Sequence, residues 1–489
     1  MEQVKKRNAL FWFRRDLRIN DNAGLFYALK ECDNVAPIFI FDKTILDELP
    51  TQDKRVEFLW KSVDALKSQL EEVNSDIIVK YGYSETEVVL LAEKFKVDAV
   101  YCNEDYEPKT RQRDASIEEQ LGNLGIEFKT YKDTVIFSPK DLLNCANQAY
   151  TNFSYYKLAW KKKLSSKDYK PYSIIEYVDK LAHFSSPAMI KLEDMGFKKT
   201  NLEEMKLEPG TSGAQVLFNR FKEKIIPHYK ILRDIPFSGG VSYLSLHNRI
   251  GTISIRHLVS EAMKLINMLQ DGRKDSCEAW LDELIWREFY MQLLYHYPHI
   301  AYEPFRPEFQ NFPWENNPAF YLAWCNGNTG FPLIDAAMVQ LNTTGYMHNR
   351  LRMLVAAFLT KYLLVDYKLG EEYFAAKLLD FDLSANNGGW QWAASSGCEA
   401  QSYSRIFNPV KQSEKFDSDA RFIKKYLPEF KNVPAQYLHE PWNYAEQLKD
   451  FNIELGKDYP LPIIDHQARR KYSLEVFQEN FRLERIIEN

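Results

Sequence analysis

Near the start of the chain, four short apolar runs constrain its fold more than any other feature: Ala9–Phe13, Val35–Phe41, Asp76–Tyr81 and Asp98–Cys102. They are nearly continuous rather than alternating, as expected of strands buried on both faces. Amphipathic stretches of helical period separate them, at Asn22–Glu31, Arg55–Glu72 and Glu85–Lys96. A further one, Arg111–Leu124, precedes a fifth strand pattern at Glu127–Tyr131. Strand and helix in alternation predict an α/β, doubly wound parallel sheet, with ligands beyond the C-terminal ends of its strands. No G-x-G-x-x-G run accompanies it, so a dinucleotide fingerprint is absent.

This α/β domain is predicted over residues 1–133. From 134 to 210 the periodicity weakens and Ser, Pro, Lys and Tyr increase, which reads as a linker. Within it, Tyr155-Tyr156-Lys157 and Trp160-Lys161-Lys162-Lys163 combine bases with rings, and a solvated linker face is the simpler reading. Residues 211–489 read as an all-α domain. Its helical patterns fall at Ala214–Lys230, Ser254–Asp271, Glu278–Tyr297, Pro332–Leu341, Asn349–Leu364 and Glu371–Leu379, with a further helical segment at Arg469–Asn489. A chain of 489 residues has room for two such domains. The net charge of −5 offers no global attraction to nucleic acid, so any DNA binding needs a local basic patch. Six scattered cysteines without a CxxC pair read as reduced thiols, and no metal site is expected. The N-terminal residues have no apolar signal core and no run is long enough to span a bilayer, so a soluble, cytoplasmic protein is expected.

The densest chemistry lies between Asp380 and Trp392. Two acids, Asp380 and Asp382, precede Asn386-Asn387-Gly388-Gly389 and two tryptophans, Trp390 and Trp392. The Asn-Asn-Gly-Gly run predicts a turn. Upstream, Met347-His348-Asn349-Arg350-Leu351-Arg352-Met353 carries two fixed cations into an apolar run, and Arg352 is expected to pair with Asp380. Trp280, Glu283, Arg287 and Tyr290 fall at helical spacing with Trp286 beside them, which spacing alone assigns to an ordinary amphipathic helix. Ser238–Ser245 offers small residues and hydroxyls before a helix, a weak anion-nest pattern. Arg350, Arg405, Lys411 and Lys415 read first as solvated charges, and Tyr367 and Trp314 as core aromatics.

Several long stretches together resemble the DNA photolyase/cryptochrome family, and within it the class I cyclobutane pyrimidine dimer photolyases. They are Phe11–Asn22, Trp280–Phe289, Thr329–Met338, Met347–Met353 and Asp380–Trp392. The resemblance implies an α/β antenna domain and an all-α FAD-binding domain. It implies that Tyr229, Ser242, Leu244 and Ser245 hold the diphosphate end of FAD. Trp280, Glu283, Arg287, Asn349, Arg352, Asp380 and Asp382 would line the rest, with Asn386 at the reactive ring nitrogen. The implied reaction is light-driven: reduced flavin lends an electron to the dimer, the cyclobutane opens and the electron returns. Glu283, Asn349, Met353 and Asn386 would be the catalytic group. The dimer would flip out of the duplex, a general strategy of enzymes acting on bases for which photolyases are a standard example. Trp286 and Trp392 would stack on the dimer, Glu283 and Asn349 would hydrogen-bond it, Met353 would pack against it, and Arg350 and Arg405 would grip phosphates. The related (6-4) enzymes carry histidines where Asn349 and Met353 stand, which favours the cyclobutane substrate here.

Three departures qualify the match. The family's electron-transfer chain would be Trp390, position 367 and Trp314, and position 367 is Tyr. Val241 and Leu246 alter the phosphate loop. Lys109-Thr110 follows Asn103–Pro108 where folate binders carry another pair, so a second antenna chromophore is expected but its type is open. DNA containing pyrimidine dimers is the implied partner, with no membrane, no obligate protein partner and a monomeric state. The alternative reading is a cryptochrome-type photosensor without repair.

Overall fold

Phe11 and Phe13 face one apolar layer while Leu10 and Trp12 face another, so the first strand is buried on both sides. That strand, β1 (Asn8–Phe13), lies at the centre of a five-stranded sheet. The others are β2 (Asn34–Asp42), β3 (Ile78–Gly82), β4 (Ala99–Asn103) and β5 (Glu127–Tyr131). Their order is β3-β2-β1-β4-β5, and all the pairings are parallel. The computed structural model describes residues 6–205 and 207–487. Residues 1–5, which form most of the N-terminal stretch read for a signal core, lie outside them, as do Lys206 and the last two residues of the C-terminal helical segment.

The helices begin where side chains can cap them. Asn22 accepts from the Leu25 amide at the start of Ala23–Glu31, and Asp53 accepts from the Arg55 amide at the start of Lys54–Glu71. Leu25 and Leu29, with Val63, Leu66 and Leu70, cover one sheet face. Val88, Leu91, Ile117 and Leu121, from Ser84–Phe95 and Pro108–Asn123, cover the other. At the C-terminal ends of β1 and β4, where the strand order reverses, Asn103 Nδ2 donates to Asp16 and Asn22 at 2.5 and 2.7 Å. A side chain on Gly24 would collide there, its Cβ 2.8 Å from Asn103 Oδ1.

The chain folds as two compact units. One holds residues 1–150, 154–227 and 242–296; the other holds 151–153, 228–241 and 297–489. The first thus includes the helices Gly210–Lys224, Ile255–Met268 and Gly272–His296 along with the sheet. The basic-aromatic stretch is not simply a solvated linker. It forms the helix Phe153–Lys163, on which Tyr156 and Trp160 are buried. Both donate to Glu288, at 3.1 and 2.7 Å, which also accepts from the amides of Ile136 and Phe137. Four donors on one buried carboxylate explain why aromatics stand there, and Lys157 and Lys161 are drawn to Asp282.

In the second unit, Pro318–Asn326, Pro332–Thr344, Asn349–Lys361, Tyr367–Lys377 and Leu383–Ala394 share a core that includes Trp324, Met338, Leu351, Val355 and Trp390. Gly327 and Gly345 close two of these helices at φ of 66° and 69°. Among the described residues, no helix is long and apolar enough to cross a membrane.

Two expectations follow. Asp133 is buried between Arg18 and Arg256, at 2.5 and 2.7 Å. Burial opposes its charge, but the two guanidiniums outweigh this and hold the carboxyl at about 2. A lowered value stabilises the fold above the ordinary carboxylate range, and that stability is lost as pH falls through the lowered value. Urea unfolding should therefore show the wild type losing roughly 2 kcal/mol between about pH 5 and pH 2 that Asp133→Asn does not lose. Gly370 lies under Trp390, and a Cβ there would sit 2.2 Å from the indole. Gly370→Ala should cost about 1–3 kcal/mol in urea unfolding and shift the tryptophan emission.

Candidate functional site

The helix Leu383–Ala394 runs through the Asn-Asn-Gly-Gly sequence, so the turn expected there does not form. Local preference gives way to tertiary anchoring. Asp382 caps the first turn by accepting from the Ala385 amide. Asn386 Nδ2 donates to the Glu371 carbonyl at 3.1 Å, and Asn387 Nδ2 donates to the Ile300 carbonyl at 2.8 Å. Gln391 Nε2 reaches the same carbonyl at 3.1 Å. The helix ends on Ser395, at a φ of 73°. The apolar positions Trp390, Ala393 and Ala394, together with the Asp382 cap, are the helical signal in the sequence that the glycine pair obscures.

This anchoring determines the chemistry that Asn386 presents. Its Nδ2 is committed to a backbone carbonyl, so its Oδ1 is left as an acceptor. Two neighbours that sequence reasoning missed hold it there: Asn387, and Glu371, whose carboxylate accepts from Asn387 at 3.1 Å. Burial pushes the Glu371 carboxyl up to about 7. Neither carries a sequence signal of its own, because both act through contacts formed only in the fold.

The helix Asn349–Lys361 packs against this one. His348 caps its first turn, Nδ1 accepting from the Arg350 amide at 3.2 Å. Burial holds that imidazole at about 4, so near neutral pH it is uncharged and able to accept. Arg352 donates to both oxygens of Asp380, at 3.0 and 2.9 Å, which is the pair expected from the sequence. Its Nε donates to the Met347 carbonyl at 2.8 Å, so the guanidinium is held at two points. Asn349 is exposed, with Nδ2 4.0 Å from Met353 Sδ. Arg350 pairs with Asp234 at 2.8 Å and lies over the Phe416 ring, whereas Arg405 is exposed. Trp392 is half-buried, its ring 6.4 Å from Phe407. Tyr229 is buried at the head of a short helix in this unit.

Trp390 and Tyr367 are both buried in the shared core, and Trp314 packs against it. The Trp390 indole meets Phe374 and Trp324, with ring centroids 5.0 and 6.0 Å apart. Trp314 lies against Phe312 at 4.4 Å.

The remaining candidates lie in the unit that contains the sheet. Trp280 is buried against Phe218 and Phe221, while Glu283 and Trp286 are half-buried. Trp286 packs on Phe289 and Tyr290. Arg287 donates to the carbonyls of Thr134 and Asn248, at 2.6 and 3.4 Å. Asn248 belongs to the helix Ser245–Ile250, just after Ser242 and the buried Leu244, so Arg287 is tied to that loop and helix. Ser242 Oγ accepts from the Leu244 amide at 3.3 Å.

A fixed cation, a carboxylate and an amide with its oxygen to offer suit the polar edge of a flavin, so these residues fit FAD. Among the described residues, no group of His, Cys, Asp or Glu could hold a metal ion. Residues 9–173 match the family model for DNA photolyase, and residues 280–479 match that for the FAD-binding domain of DNA photolyase. The chain is 34% identical to the deoxyribodipyrimidine photo-lyase of Synechococcus sp., covering 94% of each chain. It is also 34% identical to that of Escherichia coli, over 96% of this chain and 98% of the other. Among solved structures it resembles a class III photolyase from Agrobacterium tumefaciens, with a TM-score of 0.90, 30% identity, and coverage of 98% and 99% of the two chains. A photolyase from Sulfolobus tokodaii with two FAD molecules matches at a TM-score of 0.78 and 34% identity, over 96% of this chain and 100% of that one. With relatives this similar along nearly its whole length, matched by both family models, the chain belongs to the DNA photolyase family.

Proposed function

We propose that the protein repairs cyclobutane pyrimidine dimers in DNA under light, with FAD as its redox cofactor. The observation that carries this reading is the pinned helix Leu383–Ala394, which fixes the Asn386 amide while the helix packed against it carries a cation locked by Asp380. When bound, reduced FAD supplies the electron that opens the dimer and receives it back. Arg352 favours the anionic form of that cofactor by its charge, and Asp380 keeps the guanidinium in place. Asn386 offers a neutral acceptor that does not titrate, so it serves more than one protonation state. Tyr229, Ser242, Leu244 and Ser245 hold the diphosphate end. Trp280, Glu283, Arg287, Asn349 and Asp382 complete the cofactor set.

The flipped dimer stacks on Trp286 and Trp392, hydrogen-bonds to Glu283 and Asn349, and packs on Met353. Arg350 and Arg405 bind the flanking phosphates. Because Arg350 already pairs with Asp234, DNA competes with that carboxylate, while the exposed Arg405 meets no such cost. In functional terms residues 1–133 form the antenna region with a second chromophore, 134–210 connect, and 211–489 form the catalytic region. The protein acts as a cytoplasmic monomer without an obligate protein partner.

Binding to an oligonucleotide with a single thymine dimer, and to its undamaged counterpart, tests these roles. Trp392→Ala should weaken binding of the dimer about 5- to 150-fold, as expected for one lost stacking partner, and leave undamaged DNA unaffected. Arg405→Ala should weaken both and reduce the salt slope by about one. Equal losses for both DNAs in Trp392→Ala would remove Trp392 from the dimer site.

A further inference from the structure

Arg350 and Arg352 stand two residues apart at the head of the helix Asn349–Lys361, and they are held in opposite ways. Arg352 gives Nη2 to both oxygens of Asp380 and Nε to the Met347 carbonyl. Arg350 makes one side-chain hydrogen bond, from Nη2 to Asp234 Oδ1 at 2.8 Å. Its Nε is buried without a partner, and among the described residues Nη1 has none either. A guanidinium can grip a carboxylate or a phosphate through two parallel bonds, so a single bond leaves this pair short of its strongest form. Arg350 is supported instead by a contact that uses no hydrogen bond, its Cζ 4.6 Å from the centre of the Phe416 ring. Asp234 comes from the turn between two short helical segments, Tyr229–Leu232 and Pro236–Ser238, and its side chain is 36% exposed.

We propose that Asp234 is an exchangeable counter-ion for Arg350, a carboxylate that yields the guanidinium to a DNA phosphate and reclaims it when the repaired strand leaves. The proposal rests on the phosphate contact given to Arg350 above, and adds the group that ends that contact. Carboxylate and phosphate oxygens accept from a guanidinium in the same geometry, so one can replace the other. An incoming phosphate gains a two-bond contact in exchange for a one-bond pair open to solvent, a pair that is itself worth little. Arg350 keeps its place on Phe416 throughout, so only the acceptor changes. Once the dimer is split, the same small difference lets Asp234 take the guanidinium back. The pair is broken for every DNA that Arg350 grips, so Asp234 weakens dimer-containing and repaired DNA alike. It does not sort one from the other; it shortens the stay of repaired DNA. Changes of affinity at one interface lie mostly in dissociation, and product release limits the turnover of many enzymes.

Stopped-flow dissociation of a dimer-free oligonucleotide from the FAD-loaded protein tests this, at low salt so that exposed charges are little screened. Asp234→Asn keeps the shape of the side chain, removes its charge, and should slow dissociation about 1.5- to 5-fold, the range of an exposed ion pair. Arg350→Ala should speed dissociation, and adding Asp234→Asn to it should change nothing further. A rate unchanged or raised in Asp234→Asn, with Arg350→Ala faster than wild type, overturns the counter-ion. So does an equal slowing by Asp234→Asn in the Arg350→Ala background, which would be the field of one lost negative charge and not an exchange on Arg350. A rate unchanged in Arg350→Ala overturns the phosphate contact itself, which separates the two failures. Thermal melting shows that each variant has folded, and Asp234→Ser takes the place of Asp234→Asn if that variant does not fold.

Discussion

Three side-chain amides anchor the helix that carries most of the candidate chemistry. Asn386 and Asn387 donate from the middle of Leu383–Ala394, and Gln391 donates one turn later, to the carbonyls of Glu371 and Ile300. Without those bonds, a sequence with two adjacent glycines has little reason to remain helical, since each glycine costs about 1 kcal/mol relative to alanine. With them, the same helix carries Asn386, Trp390 and Trp392 on a rigid element. Buried amides bonded to backbone carbonyls tolerate little movement, so the Asn386 oxygen is set before any ligand arrives.

Around this helix, charges are placed so that each is satisfied without mobility. Arg352 has both a carboxylate and a carbonyl, which leaves its planar face and direction fixed. His348 is held uncharged by burial, so the cap of the neighbouring helix adds no positive charge beside Arg352. In the sheet-bearing unit the same logic appears at Asp133, where two arginines share one buried acid, and at Glu288, where four donors converge on one carboxylate.

The sheet is legible from the sequence because continuous apolar strands and amphipathic helices are local signals; the helix Ala23–Glu31 lies within the stretch the residues predict, and the strand Glu127–Tyr131 falls where they predict it. The Arg352–Asp380 pair is legible for a different reason, since a fixed cation entering an apolar run needs a partner. The helix over Asn386–Gly389 is not legible, because its stability comes from Ile300 and Glu371, distant in sequence. Trp280 shows a further gap: spacing places it on a helix, but only the packed core shows which rings it touches. Glu371 and Asn387 cannot be singled out, as their role is to orient another side chain.

Absorbance tests light-driven repair most directly. Reduced, FAD-loaded protein is mixed with an oligonucleotide carrying one thymine cyclobutane dimer, and recovery of thymine absorbance is followed under blue light and in the dark. Recovery is expected in the light alone. No recovery in the light, with FAD shown to be bound and reduced, would contradict repair and favour a photosensor.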